Sequence, residues 1–183
     1  MTFDQMFAFN ADHLIMIARI LGSVVIGGLI GLERSFHGRP AGFRTHALVC
    51  TSSALLMLVT VYQNEWMTHV VLDAIRTDPT RMAQGIMTGI GFLGAGVIFK
   101  EGLTVRGLTT AASIWVTAAI GILVGIGFWF AAIVGATAVL LVLAVFRFIE
   151  ARLPSEFYAH ERLAVHLRGR PEVVEFRISP TGD

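Results

Sequence analysis

The residues best suited to chemistry lie in one short charged stretch, GLERSFHGRPAGFRTHAL, at positions 31–48. It brings together a carboxylate, guanidinium groups, an imidazole and two small residues: Glu33, Arg34, Arg39, Gly42, Arg44, Thr45 and His46. One interpretation is a charged pocket in which arginines hold the carboxylate. Such a loop also attracts anionic lipid or an acidic partner surface. The other interpretation is a basic loop that only sets membrane orientation.

Two residues of this stretch have a structural explanation of their own. Thr45 is placed to cap the helix that follows. No second histidine or carboxylate lies at helical spacing from His46, so a polar group at a membrane interface is favoured over a metal ligand. Any metal ligands therefore stay unassigned.

A second polar group, Asp78, Arg81 and Gln84, lies in the stretch DPTRMAQG. Pro79 suits the first turn of a helix and Asp78 suits its N-cap. Capping explains Asp78 without a function. The alternative is a functional motif at the outer end of a membrane span.

Gly89, Gly91 and Gly94 match the glycine fingerprint of dinucleotide-binding proteins. That fingerprint requires a preceding strand and a ribose-binding acid, whereas apolar, membrane-length sequence flanks these glycines. Close helix packing explains them better, because small residues let helices approach in lipid. The same spacing recurs in other spans, and the predicted packing residues are Gly27, Gly31, Gly85, Gly89, Gly91, Gly94 and Gly96, with Gly121 and Gly125 similar. Glycines also unwind helices that line a site, which is the functional alternative.

Hydroxyl groups form a polar face on the fourth predicted span, at Thr109, Thr110, Ser113 and Thr117. Polar groups inside a bilayer need partners. These side chains either hydrogen-bond across the helix bundle or line a polar site.

The composition is that of a membrane protein. Hydrophobic residues make up 55% of the 183 residues and charged residues 15%, against roughly 25% charged in soluble domains. No Asp, Glu, Lys or Arg occurs between Arg106 and Arg147. A net charge of +1 carries no information about nucleic acid, and we expect no nucleic-acid partner. No nucleophile is paired with a base in the sequence, so we expect no enzyme and no cofactor.

The apolar runs predict an all-α membrane protein, a bundle of five transmembrane helices at about 13–32, 45–62, 82–99, 107–125 and 129–147. The last two spans reverse at GIGFW, residues 125–129. Basic residues concentrate on one side, which predicts an outer N-terminus and a cytoplasmic C-terminus. Residues 1–150 form the membrane domain, and the tail at 151–183 alternates apolar and polar residues, as one or two short strands do.

Three blocks of the sequence resemble the MgtC/SapB family of bacterial inner-membrane proteins. They are GLIGLERSFHGRPAGFRTHALV, DPTRMAQGIMTGIGFLGAGVIFK and VRGLTTAASIWVTAAIG, within about 19–143. The resemblance implies a multi-pass inner-membrane protein for adaptation to low magnesium, in a family that includes virulence-associated members. It also implies a membrane partner, with ATP synthase as the family precedent. Many members carry a longer cytoplasmic α/β domain, so the tail here is shortened by comparison.

Two functional hypotheses follow from the residues and the resemblance. The first is a non-enzymatic regulator that binds another membrane protein through its glycine faces, alone or with a second copy of itself. The second is a Mg²⁺ transporter or channel, in which Mg²⁺ is the ligand or transported ion. Mg²⁺ favours one or two carboxylates, and Glu33 and Asp78 are expected near opposite surfaces. The regulator is therefore preferred.

Overall fold

The computed structural model describes residues 10–66, 78, 80–101, 104–150 and 152. Its main helices are α1 (Ala11–Phe36), α2 (Phe43–Val61), α4 (Thr80–Gly96), α5 (Leu108–Ile126) and α6 (Trp129–Leu141). A short helix α3 (Gln63–Trp66) follows α2, and α6 continues through a π-helical segment (Val142–Phe146) into α7 (Arg147–Glu150). The strands predicted for the tail lie outside the described residues.

Four helices are long and apolar enough to cross a membrane: Ala11–Phe36, Phe43–Val61, Leu108–Ile126 and Trp129–Phe146. They coincide with four of the five predicted spans. The remaining predicted span is a helix of 17 residues, Thr80–Gly96. The chain is thus a helical membrane protein, and a fifth crossing by α4 stays a prediction.

The third predicted span was placed too long at its C-terminal end. Its helix ends at Gly96, and Phe99–Glu101 forms strand β1 instead. β1 pairs antiparallel with β2 (Thr104–Arg106), with Phe99 opposite Arg106. This pairing provides hydrogen-bond partners for backbone groups that follow the end of α4. Gly107 closes the hairpin with φ +90°, and a Cβ there would collide with the carbonyl oxygen of Val97.

The centre of the bundle is α2, which lies between α1 and α5. One apolar cluster includes Ile30, Cys50 and Ile120 and extends to α6 through Ala132. A second cluster joins α2 and α5 to α4, through Met57, Ile114 and Ile86. α4 and α6 therefore lie at the edges of the bundle.

The predicted reversal between α5 and α6 is found at its expected place. Gly127 ends α5 in the left-handed region, with φ +91°. The Phe128 amide donates to the Leu123 carbonyl oxygen at 2.9 Å. A residue with a side chain would be strained at this φ, which explains the glycine.

Candidate functional site

Arg34 carries a buried charge where α1 ends. Arg34 is only 5% exposed to solvent. Its Nη2 donates to the Thr110 hydroxyl of α5 at 3.2 Å, and its buried Nε has no hydrogen-bond partner. The guanidinium therefore joins α1 to α5 rather than pointing to water, as the arginine of an orientation-setting loop would.

Glu33 is paired with a histidine. Nδ1 of His37, one helical turn on, lies 2.7 Å from the Glu33 carbonyl oxygen and 3.0 Å from Oε1 of the carboxylate, while the buried Oε2 has no hydrogen-bond partner. The pocket predicted here, with arginines holding the carboxylate, is therefore wrong in its partner. Arg39 and Arg44 are exposed, and a four-residue spacing on one helix face brings His37 closest.

His46 lies in the first turn of α2 and is 0% exposed. Its Nδ1 lies 3.1 Å from the Gly42 carbonyl oxygen and its Nε2 lies 3.1 Å from the Ser113 hydroxyl. A carbonyl only accepts, so Nδ1 carries a proton. His46 is thus a buried polar group with hydrogen-bond partners, and Gly31 and Ser113 let its ring enter between the helices.

The pair His46 and Ser113 has the spacing of a base and a nucleophile, but its surroundings suit packing. Ser113 Oγ is also 2.8 Å from the Thr110 carbonyl oxygen. Its one hydrogen goes either to that carbonyl or to the imidazole. Both side chains are buried, with 3% exposure at Ser113, so no substrate reaches them in this conformation.

The polar face predicted on α5 is divided between two environments. Thr110, Ser113 and Thr117 are buried, whereas Thr109 is exposed. The Thr117 hydroxyl donates to the Ser113 carbonyl oxygen at 2.7 Å. Together with Arg34 and His46, the buried hydroxyls form a polar row along the α1–α2–α5 interface. Thr109 faces away because it precedes Thr110 by about 100° around the helix.

The residue that caps the start of α2 is Ser35 and not the predicted Thr45. The helix begins at Phe43, so Thr45 lies within its first turn and is not its cap. Ser35 Oγ, from the end of α1, accepts the Phe43 amide at 2.8 Å. Gly42 makes room for this contact, because a Cβ there would collide with Ser35 Oγ.

The glycines of α1 and α5 contact α2 closely. A Cβ at Gly27 would lie 2.6 Å from the His46 carbonyl oxygen, and one at Gly31 would lie 2.7 Å from Phe43 Cα. On the other side, a Cβ at Gly125 would lie 2.7 Å from the Ala54 carbonyl oxygen. α2 is held between two glycine faces.

The glycines of α4 behave differently. A Cβ would meet no atom of the described chain within 4 Å at Gly85, Gly89, Gly91 and Gly96. Among the glycines of α4, only Gly94 is buried. A Cβ added there would lie 3.7 Å from the Ala111 Cβ. The spacing predicted a packing face within the bundle, and these four glycines do not form one. They lie on the outer surface of α4.

Asp78 caps α4, as its position before the helix predicts. Its Oδ1 accepts from the Thr80 amide at 2.9 Å and from the Thr80 hydroxyl at 2.7 Å. These hydrogen bonds hold the pKa of Asp78 below its usual value. Arg81 and Gln84 are exposed and lie away from the buried polar row. The structure thus does not join the two predicted motifs into one site.

At the opposite end of the bundle, Arg19 ties three helices together. Its Nη1 donates to the Gly125 carbonyl oxygen near the end of α5 at 2.9 Å. Its guanidinium carbon lies 5.9 Å from the centre of the Tyr62 ring, next to α2. A cation at the C-terminus of a helix is favourable because the exposed carbonyls carry partial negative charge.

Comparison with known proteins places the chain in a family. The sequence profile of the MgtC family matches residues 20–152, a stretch that contains the buried polar row and four of the main helices entirely. This chain belongs to the MgtC family. The resemblance seen in the sequence blocks is confirmed. No solved structure matches the chain.

Three curated relatives show how far the similarity extends. A Haemophilus influenzae protein is 45% identical over 73% of this chain and 56% of its own length. The Escherichia coli protein "Putative magnesium transporter YhiD" is 43% identical over 78% and 65%, respectively. "Protein MgtC" of Brucella abortus is 47% identical over 60% and 42%. The chain therefore spans only part of the length of these family members.

Proposed function

We propose that this MgtC-family chain acts in magnesium homeostasis as a multi-pass protein of the bacterial inner membrane. It regulates another membrane protein through contacts inside the bilayer and catalyses no reaction. α4 is its fifth span, with the N-terminus outside and the tail in the cytoplasm. Adaptation to low magnesium is the setting, and ATP synthase is the partner that family precedent suggests.

The observation that carries this proposal is the unoccupied glycine face of α4. Gly85, Gly89 and Gly96 lie within about 40° of one another around the helix. All three are exposed, and Phe92 beside them is 84% exposed. Lipid gives helices no hydrophobic reason to associate, so small residues that admit a second backbone favour helix contact. This face suits a helix from another protein.

The second candidate function, Mg²⁺ transport, is favoured by the name of the E. coli relative. The polar row between α1, α2 and α5 is the route that such transport would use. Its ionisable members are Arg34, a cation, and His46, and its other groups are hydroxyls. Mg²⁺ requires oxygen ligands, usually with one or two carboxylates. A buried guanidinium repels a divalent cation, so this row suits helix association better than Mg²⁺ passage.

Growth in low magnesium tests the regulatory proposal. Gly89→Leu places a large side chain on the glycine face without meeting another part of the described chain. We expect it to abolish complementation of a strain lacking this protein, at wild-type abundance in the membrane. Ala131→Leu, on the exposed surface of α6, is the matched control and should complement. Full complementation by Gly89→Leu would contradict the proposal.

A further inference from the structure

A shallow apolar groove runs between the C-terminal part of α4 and the N-terminal part of α5. We call it the α4–α5 groove. Its volume is about 340 Å³, and five of its eight lining residues are glycine or alanine. It extends from Ile98 near the β-hairpin to Ile90 and Trp115 deeper along the helices. Gly91 leaves it open, since a Cβ there would meet nothing within 4 Å.

The lining and direction of the groove suit a hydrocarbon chain. Positions 90–98 span roughly 12 Å at 1.5 Å per residue, and the groove follows the two helices from the end at the hairpin. Its lining residues are glycine, alanine, isoleucine and tryptophan, and none of them is charged. An acyl chain can therefore lie along the groove with its headgroup at the hairpin.

The end of the groove at the hairpin is basic. Lys100 on β1 and Arg106 on β2 are both exposed. Residues 99–106 also include Glu101, so their net charge is +1. Arg39, in the loop between α1 and α2, and Arg44, in the first turn of α2, are exposed at the same end of the bundle. A phosphate group above the groove would therefore lie among positive charges.

We propose that the α4–α5 groove is a binding site for an anionic phospholipid. One acyl chain lies along Gly91 and Trp115, and the headgroup lies at the basic hairpin. This site is on a different face of α4 from Gly85, Gly89 and Gly96, so it does not depend on the proposed regulatory contact. Headgroup charge decides the preference, since basic residues near a membrane surface attract anionic lipid.

Quenching of Trp115 fluorescence by brominated lipids tests this assignment. The full chain carries Trp66→Phe and Trp129→Phe, which leaves Trp115 as its one tryptophan. It is reconstituted with brominated phosphatidylglycerol or brominated phosphatidylcholine. We expect half-maximal quenching by the anionic lipid at a mole fraction about fivefold lower, a factor typical of one basic residue. High salt should reduce this preference.

Two pairs of variants separate the groove from general lipid contact. Gly91→Leu fills the groove and should remove the preference, whereas Gly89→Leu on the other face should leave it unchanged. Lys100→Gln should lower the preference for the anionic lipid. Arg106→Gln removes a charge from the other strand of the hairpin and should lower the same preference. Equal quenching by both lipids, or a preference that survives Gly91→Leu, would overturn the proposal. Protection of Trp115 from both lipids, with a change of oligomeric state in Gly91→Leu, would assign the groove to a second copy instead.

Discussion

Arg34 and Thr110 lie 76 positions apart in the chain, and their side chains form a buried hydrogen bond of 3.2 Å. Because Arg34 is 5% exposed, this contact fixes the end of α1 against the start of α5. Arg34, which the sequence places in a charged stretch between two spans, thus makes a buried contact between helices.

Replacing Arg34 should therefore destabilise the bundle. We expect Arg34→Gln to lower the free energy of unfolding by about 1–3 kcal/mol, the cost of leaving buried polar groups unpaired. Arg39→Gln, at an exposed position, should change it by less than about 0.5 kcal/mol. Denaturation in mixed micelles measures both. Equal stability of the two variants would show that the Arg34 contact contributes nothing.

The contact between His46 and Ser113 can be measured with a double-mutant cycle. We expect a coupling energy of about 0.6–1.7 kcal/mol between His46→Ala and Ser113→Ala, as for other hydrogen bonds inside membrane proteins. The single change at Ser113 should cost less than that at His46, because His46→Ala also leaves a cavity. Strict additivity of the two changes would mean that the 3.1 Å contact is not a stabilising hydrogen bond.

Two glycines that each lie four positions from another glycine, Gly121 and Gly89, should respond differently to leucine. A Cβ at Gly121 would collide with the Cys50 carbonyl oxygen, whereas one at Gly89 would meet nothing within 4 Å. We expect Gly121→Leu to cost more than about 1–3 kcal/mol, the range for overpacking. Gly89→Leu should keep the wild-type midpoint of thermal unfolding in detergent. Loss of folding in Gly89→Leu would place α4 differently from the arrangement described here.

The start of α4 should depend on pH through Asp78. Its folded pKa lies below the ordinary value because Thr80 donates two hydrogen bonds to the carboxylate. The capping contribution is therefore fully present above the unfolded pKa, about 3.9, and is lost as the pH falls through the folded pKa. Amide exchange in the first turn of α4 should rise in that window.

Asp78→Asn is the control for this pH effect, since asparagine caps helices as well as aspartate does but does not ionise. It should protect the first turn without the acid-dependent loss. The same acid response in wild type and Asp78→Asn would assign the effect to another group.

Much of the helical architecture follows from the sequence, for physical reasons that act locally. Long apolar runs, without charge except for Arg19 in the first, predicted α1, α2, α5 and α6 because lipid tolerates only helices or closed barrels. Asp78 and the reversal near Gly127 were predicted because capping and positive φ depend on a few neighbouring residues. The start of the β-hairpin after Gly96 was missed because Val97, Ile98 and Phe99 continue the apolar run of α4 as far as Lys100.

The contacts of the candidate site could not be predicted in the same way. Gly31 and Gly89 each follow another glycine by four positions, and only the tertiary arrangement places one against α2 and the other on the outer surface. The sequence also offers Glu33 several basic neighbours, and helix geometry selects His37. Ser35 was overlooked as a cap for α2 because it lies eight positions before Phe43, at the end of the preceding helix.

The measurement that tests the central claim most directly is Mg²⁺ flux into proteoliposomes containing the purified protein, followed with an enclosed Mg²⁺ indicator. Correct insertion is verified on the same vesicles. Regulation through membrane contacts predicts the same flux as in protein-free vesicles, for the wild type and for Glu33→Gln. Flux above that level in the wild type, abolished by Glu33→Gln, would contradict the account and make Mg²⁺ transport the function.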